Sequence, residues 1–243
     1  AAYAAVENPA AVALDGKLYL FGGSTDAFSG AVASAAVFDP ATSEWTMLSS
    51  MPTARGGAAA EAMGGMIYVA GGMDGSGASV ASVTVYNPAT NAWSTAAPMQ
   101  TRRDNAGSAA IDGKLYMFGG RTRNADGTTL NGTLSSVETY DPATNEWVSR
   151  APMPTGRRTM AVGVLDGRAH LMGGERALNN ETFPQNEEYD PVANIWRSLE
   201  TMPTPRHGAV SGTINGFTYV IGGGPIAGTS FTTVNEAFTF EGS

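Results

Sequence analysis

Five Gly-Gly pairs constrain this chain more than anything else in it: Gly22-Gly23, Gly71-Gly72, Gly119-Gly120, Gly173-Gly174 and Gly222-Gly223. Each ends a short apolar run (LYLF, IYVA, LYMF, HLM, YVI), and the intervals between them are 49, 48, 54 and 49 residues. A repeat of that length is the mark of a stacked or ring-like array of small sheets. No shift in composition interrupts it, so the 243 residues are expected to form one domain rather than two. Its units run at about 6–52, 53–100, 101–154, 155–203 and 204–243.

Only 15% of the residues are charged while 31 are glycine, a balance that suits turn-rich sheets packed through small side chains. The net charge of −8 argues against nucleic acid or an anionic membrane surface as a general partner. With no cysteine, the chain has no disulfide, no zinc-thiolate site and no cysteine nucleophile. No apolar stretch approaches the ~20 residues of a membrane-spanning helix. The chain opens AAYAA with no signal-peptide h-region, and its low charge and small-residue richness suit a bacterial periplasmic or extracellular setting.

Each unit reads as four strands, A to D. Between A and B stand Asp15-Gly16, Gly64-Gly65, Asp112-Gly113, Asp166-Gly167 and Asn215-Gly216, the residues a type I′ hairpin needs because both of its central positions take positive φ. Strand B is apolar on both faces, so it needs cover from both sides. Strand C ends on Phe38, Tyr86, Tyr140, Tyr189 or Phe238. Seven residues after the first four come Trp45, Trp93, Trp147 and Trp196 on strand D, expected to pack in the core. His170 takes the strand B place of Tyr19, Tyr68, Tyr116 and Tyr219 and reads as a core substitute.

Paired glycines after an apolar strand, an aromatic about 15 residues on and a tryptophan seven later, five times in register, resemble the kelch repeat. The resemblance covers essentially the whole chain. It implies an all-β fold: a kelch-type β-propeller of five blades of four antiparallel strands, strand A innermost. The fifth unit reaches Gly242-Ser243 without a tryptophan strand, so the closing blade is expected to lack its outer strand. The N-terminus is out of register to supply it. A fragment of a six- or seven-bladed propeller is the alternative.

Nine residues before the A–B turns of units 2 to 5 stand Arg55, Arg103, Arg157 and Arg206, with Val6 in the same register of unit 1. Two readings stand side by side. The arginines ring one mouth of the channel and bind carboxylate or phosphate, as arginines at this register do in kelch-type substrate adaptors, or they pair internally with Glu138, Glu187 and Glu236. The next position varies from unit to unit (Glu7, Gly56, Asp104, Arg158, His207), as an asymmetric ligand or drift at solvent positions would produce. The long B–C loop of unit 3 adds Arg121 and Arg123, unit 4 adds Glu175 and Arg176, and Phe28, Phe183 and Phe231 are loop anchors or contact aromatics.

The expectation is a non-catalytic module that binds an acidic or carboxylated protein segment or glycan through Arg55, Arg103, Asp104, Arg121, Arg123, Arg157, Arg158, Arg206 and His207. No metal, cofactor or catalytic set is expected, since the copper site of galactose-oxidase-like kelch proteins needs a cysteine and there are only two histidines. Another kelch group comprises periplasmic sialic-acid mutarotases, which makes a sugar isomerase using His207, Asp104 or Glu7 the first alternative. Association through the incomplete fifth blade is the second.

Overall fold

The computed structural model describes residues 3, 5–26, 30–126, 128–130, 132–176, 181–228 and 230–239. It is an all-β, five-bladed propeller with no helix among these residues, so none is present that is long and apolar enough to cross a membrane. Blade 1 is β1 (Ala10–Leu14), β2 (Lys17–Phe21), β3 (Ala35–Asp39) and β4 (Glu44–Met47), hydrogen-bonded in that order. Blade 2 is β5 (Ala59–Met63), β6 (Met66–Ala70), β7 (Val83–Asn87) and β8 (Ala92–Ala96). Blade 3 joins β9 (Gly107–Ile111) and β10 (Lys114–Phe118) to β13 (Val137–Asp141) and β14 (Glu146–Arg150); its long loop carries a short ribbon, β11 (Thr122–Arg123) with β12 (Thr129–Leu130). In blade 4, β15 (Ala161–Leu165), β16 (Arg168–Met172), β19 (Asn186–Asp190) and β20 (Ile195–Ser198) flank the ribbon β17 (Glu175–Arg176) with β18 (Glu181–Thr182). Among the described residues blade 5 has three strands, β21 (Val210–Ile214), β22 (Phe217–Ile221) and β23 (Asn235–Phe238).

The hairpin turns take the conformation their residues dictate: Asp112 and Gly113, for example, sit at φ 49° and 71°. The Gly-Gly pairs do more than end strand B. At the first glycine of blades 1 to 4 an added Cβ would overlap the carbonyl of the arginine opening the next unit, and the second glycine's N–H donates to that same carbonyl (Gly72 to Arg103, 2.9 Å; Gly120 to Arg157, 3.0 Å). Each of these four pairs is therefore a staple between neighbouring blades.

A second clasp lies at the rim. Trp93, Trp147 and Trp196 each donate Nε1–H to a carbonyl of the preceding blade: Ser49 (2.9 Å), Ala97 (2.8 Å) and Ala151 (2.9 Å). Two residues before each tryptophan, the Oδ1 of Asn91, Asn145 or Asn194 accepts the N–H of that same loop residue and the hydroxyl of Tyr86, Tyr140 or Tyr189. The tryptophans, expected to pack in the core, do so at its rim end: Trp147 belongs to one core cluster, and Trp93 and Trp196 pack against two others. Trp147 is buried, the other three are half-buried, and for Trp93, Trp147 and Trp196 a directional bond supplements the packing.

Strand A lines the channel. Around its mouth, Asn8, Gly57, Asn105, Thr159 and Gly208 all hold φ between 50° and 62° and pass a backbone bond from blade to blade: Gly57 N–H to Asn8, Asn105 to Gly57, Thr159 to Asn105 and Gly208 to Thr159. No such bond joins Gly208 to Asn8. In blade 5, β21 is exposed along its length, and Val210 and Ile214 of β21 and Phe217 and Ile221 of β22 are open to solvent. Among the described residues the ring is thus stapled at four junctions and unstapled at the fifth.

Candidate functional site

The arginine ring expected at the mouth is a set of internal braces, because the repeat aims each side chain back into its own blade. Arg55, Arg103, Arg157 and Arg206 are all at most 1% exposed. Arg103 donates to the Gly119 and Ser136 carbonyls (2.8 and 2.9 Å), joining the end of strand B to the start of strand C, and pairs with Glu138 at 2.5 Å. Arg157 pairs with Glu187 at 2.5 Å and Arg206 with Glu236 at 2.6 Å, so of the two readings it is the internal pairing that is found. Burial lowers Arg103 and Arg157 from the ordinary arginine range, and their carboxylates oppose the shift. Arg55 has no carboxylate: the register position of Glu138 is Thr84 in blade 2, and Arg55 bonds Gly71, Ser82 O and Ser82 Oγ instead. Burial pushes it down to about 10.

Blade 1, with Val6 at that register, keeps the brace by another route. The Tyr3 hydroxyl donates to Gly22 O at 2.6 Å and lies 3.3 Å from Ser34 O, the two carbonyls equivalent to the arginine's targets, and Ala36 replaces the glutamate. Periodicity could not reveal this, because Tyr3 lies three residues outside the register.

The mouth is built by the following position. In each blade the residue after the brace register forms a β-bridge with the residue after the Gly-Gly pair: Glu7 with Ser24, Gly56 with Met73, Asp104 with Arg121, Arg158 with Glu175 and His207 with Gly224. Blades 3 and 4 thereby present opposite charges in reversed order. Arg121 Nε donates to Asp104 Oδ1 at 2.8 Å, and Arg158 Nη2 meets Glu175 Oε1 at 2.8 Å. Asp104 also accepts from Ser79 Oγ and Asn105 Nδ2, and Glu175 from the Gly228 N–H, with His207 Nδ1 3.7 Å away. His207 Nε2 lies 3.0 Å from the Ile226 carbonyl.

These groups line a cavity of about 210 Å³ that includes Glu7, Met73, Arg121, Arg158, Glu175 and His207. Asp104 and Glu175 are well supplied with donors, and the arginines they pair with less so with acceptors. Arg121 Nη2 rests 3.6 Å from the Met73 sulfur, a weak acceptor, and Arg158 Nε has no hydrogen-bond partner among the described residues. Burial, and then the Arg121 charge, hold the Arg158 guanidinium below its ordinary value. Two partly satisfied guanidinium groups thus repel one another across one small space.

Of the residues expected at the site, Asp104, Arg121, Arg158 and His207 come together here, while Arg55, Arg103, Arg157 and Arg206 do not reach it. Arg123 lies beside it, half-buried, with Nη1 3.8 Å from Met73 Sδ. Phe183 is a buried anchor 5.6 Å beneath the Arg176 guanidinium, Phe231 is 89% exposed and anchors nothing, and Phe28 lies outside the described residues. Sequence reasoning missed Glu61. This strand A carboxyl faces the alanine- and glycine-lined channel, accepts from Ser108 Oγ at 2.7 Å, and is pushed up to about 7 by burial. Its signal was an acid inside the small-residue run GGAAAEAM. Among the described residues no group of three or more acidic or histidine side chains could hold a metal ion.

The comparisons with known proteins agree with this architecture. A model of the KLHDC2/KLHL20/DRC7 Kelch-repeats domain matches residues 8–223. A 57-residue stretch is 39% identical to Kelch-like ECH-associated protein 1A of Danio rerio, covering 24% of this chain and 9% of that protein. A 71-residue stretch is 39% identical to Kelch-like protein terF of Aspergillus terreus, covering 27% of this chain and 16% of that protein. The matched stretches thus span only a small part of either relative's length. The solved structure of YjhT superposes with a TM-score of 0.69 at 16% identity, over 96% of this chain and 95% of that one, a likeness of fold. With the family model spanning nearly every blade, the chain belongs to the kelch-repeat family.

Proposed function

We propose that the chain is a recognition module that binds a carboxylated ligand, an acidic peptide segment or an acidic glycan, at the mouth between blades 3 and 4. One observation carries this reading: Arg121 and Arg158 line one cavity, repel each other, and hold N–H groups that lack a good acceptor. A carboxylate between them replaces the Met73 sulfur with a charged acceptor and relieves the repulsion. The kelch fold, a scaffold whose loops converge at a channel mouth, supports an interaction role. Calorimetric titration with aspartate-rich peptides and with sialylated and neutral glycans tests it. Arg121→Gln and Arg158→Gln should each weaken binding of the acidic member about tenfold or more, and Lys17→Gln, remote from the mouth, should not. Equal affinity for charged and neutral ligands, or variants that bind as tightly as the parent, would refute the reading.

A second reading, a mutarotase of carboxylated sugars, draws on His207. Its Nδ1 faces Glu175 and its Nε2 a carbonyl, so an imidazole is oriented beside two guanidinium groups, which suits proton transfer at a sugar hydroxyl. NMR exchange between the anomers of a carboxylated sugar decides it: acceleration over buffer that is lost in His207→Gln supports the reading, and a buffer rate sinks it.

A further inference from the structure

Asp104, Glu138, Glu175, Glu187 and Glu188 are buried, and each meets an arginine at 2.5–2.8 Å. Glu61 meets no cation among the described residues: it accepts from Ser108 Oγ at 2.7 Å and from the Ala110 backbone, both neutral. Enclosure by protein pushes it up to about 7, and the part left accessible lines a channel cavity of about 310 Å³. No other charged side chain lines that cavity among the described residues. The charge is peculiar to blade 2, since the third position of strand A is Val12, Ala109, Gly163 or Gly212 in the others. A tie between neighbouring strands does not require it. Between blades 4 and 5 the Ser211 hydroxyl alone accepts the Val162 N–H and donates to the Val162 carbonyl. Glu61 and Ser108 belong to blades 2 and 3, both four-stranded, so the carboxylate and its anchor owe nothing to the junction of blades 5 and 1.

We propose that the channel binds a small primary alkylammonium ion, with its charge against Glu61. A cation there compensates a carboxylate whose charged form burial otherwise disfavours. Of the ammonium's three N–H donors, one meets a Glu61 oxygen. Acceptors for the others are the Ser108 hydroxyl oxygen, whose lone pairs are not used in donating to Glu61, and carbonyls of the strand A edges, which pair with strand B on one side only. The alkyl tail lies along the methyls of Ala58, Ala59 and Ala106. A calcium or magnesium ion is a poorer match, because it asks for six or more oxygens, and no group of three acidic or histidine side chains stands there among the described residues. A route in runs from the mouth. Asn105 and Thr159 border both the mouth cavity and a channel cavity of about 420 Å³, and Ala58, Ala106 and Ala209 border both that cavity and the one holding Glu61. The site does not depend on what the mouth binds.

Titration of n-butylammonium chloride into the folded protein, followed by backbone and side-chain NMR, tests the proposal. Saturable shifts are expected at Glu61, Ser108 and Ala110, with a millimolar Kd. Butanol, which is neutral, and tetramethylammonium, which has no N–H donor, should each bind about tenfold or more weakly. Glu61→Gln keeps an acceptor for Ser108 but drops the charge, and should also lose about tenfold or more. The bound ammonium needs the ionised carboxyl, so affinity for the parent should rise about thirtyfold between pH 5.5 and pH 8, through a group titrating at about 7. The amine stays charged over that range. Tyr68, the cross-strand neighbour of Glu61, and Tyr140 beyond it are both raised from the ordinary tyrosine value and do not titrate in it. Glu61→Gln should abolish the pH dependence. No saturation by about 0.1 M amine, shifts centred on Glu7 and Glu175 at the mouth, butanol binding as well as the amine, or an affinity unchanged in Glu61→Gln would overturn the proposal.

Discussion

Replacing Arg103 by methionine separates a brace from a ligand-binding arginine, because the two roles predict different losses. Glu138 is 1% exposed, and without Arg103 it keeps only the N–H groups of Gln100 and Thr101 (2.7 and 3.1 Å). Removing one partner of a buried ion pair costs about 3–5 kcal/mol, much of it the charge left behind. Arg55 provides the internal control. It is as buried and bonds the equivalent carbonyls, but Arg55→Met strands no carboxylate. That change loses hydrogen bonds while removing a guanidinium from a buried site, so about 1–2 kcal/mol is expected. The two variants should therefore differ by about 2 kcal/mol or more in urea unfolding followed by tryptophan fluorescence. Adding Glu138→Gln to Arg103→Met should recover a large part of the loss. Equal losses in the two single variants, or a loss below about 1 kcal/mol for Arg103→Met, would show that the pair does not hold the blade.

Glu61 and His170 give pH dependences of opposite sign. The Glu61 carboxyl is raised from 4.5 to about 7, so its contribution to stability is complete below about pH 4.5 and is lost as pH rises through 7. Glu61→Gln should match the parent at pH 4 and exceed it by about 3 kcal/mol at pH 8 in urea titrations, and a difference independent of pH would refute this. His170, lowered from 6.5 to about 4 mainly by burial, contributes fully above pH 6.5 and loses that contribution as pH falls through 4. His170→Tyr, the residue of the other four blades, should therefore remove part of the acid sensitivity between those values, read as urea midpoints at pH 4 and 7. Gly119→Ala combines positive φ with overlap of the Arg157 carbonyl and should cost about 2–4 kcal/mol. Gly222→Ala, where the nearest atom lies at 3.7 Å, should cost only the backbone term of about 1–2 kcal/mol, and equal melting losses would argue against the staple.

What the sequence made legible was whatever the repeat repeats. Five hairpin turns, five Gly-Gly pairs and the aromatic–tryptophan spacing fixed the strands and their order, because each needs a particular residue at a particular φ or edge. The direction of a side chain at a strand junction is not a periodic quantity, and there the reading divided. A count back from the turn located Arg103 correctly, but only packing decides whether it looks into the channel or into its own blade. Tyr3 shows the limit from the other side: a hydroxyl from outside the register does an arginine's work, and no period marks it. The tryptophans were placed correctly on strand D and in the core, but their clasp on the preceding blade was missed, since the asparagine two residues earlier was not read together with the indole.

The corrected arginines also change which residues are worth testing for recognition. Residues recurring in most blades serve the blade: Arg103 with Glu138, Arg157 with Glu187 and Arg206 with Glu236 are copies of one brace, and Arg55 keeps its carbonyl bonds where the glutamate is lost. One position later the backbone geometry is equally regular, since all five residues form the same bridge, yet the side chains are Glu7, Gly56, Asp104, Arg158 and His207. A constant backbone carrying different chemistry in each blade is what an asymmetric ligand requires of a symmetric scaffold. Asp104, Arg158 and His207 are buried, and the Asp104–Arg121 pair is followed by a reversed Arg158–Glu175 pair in the next blade. The braces tie the end of strand B to the start of strand C, and the unlike side chains stand one residue later on that frame. Each guanidinium there is matched by its own carboxylate, Arg121 by Asp104 and Arg158 by Glu175, both at 2.8 Å.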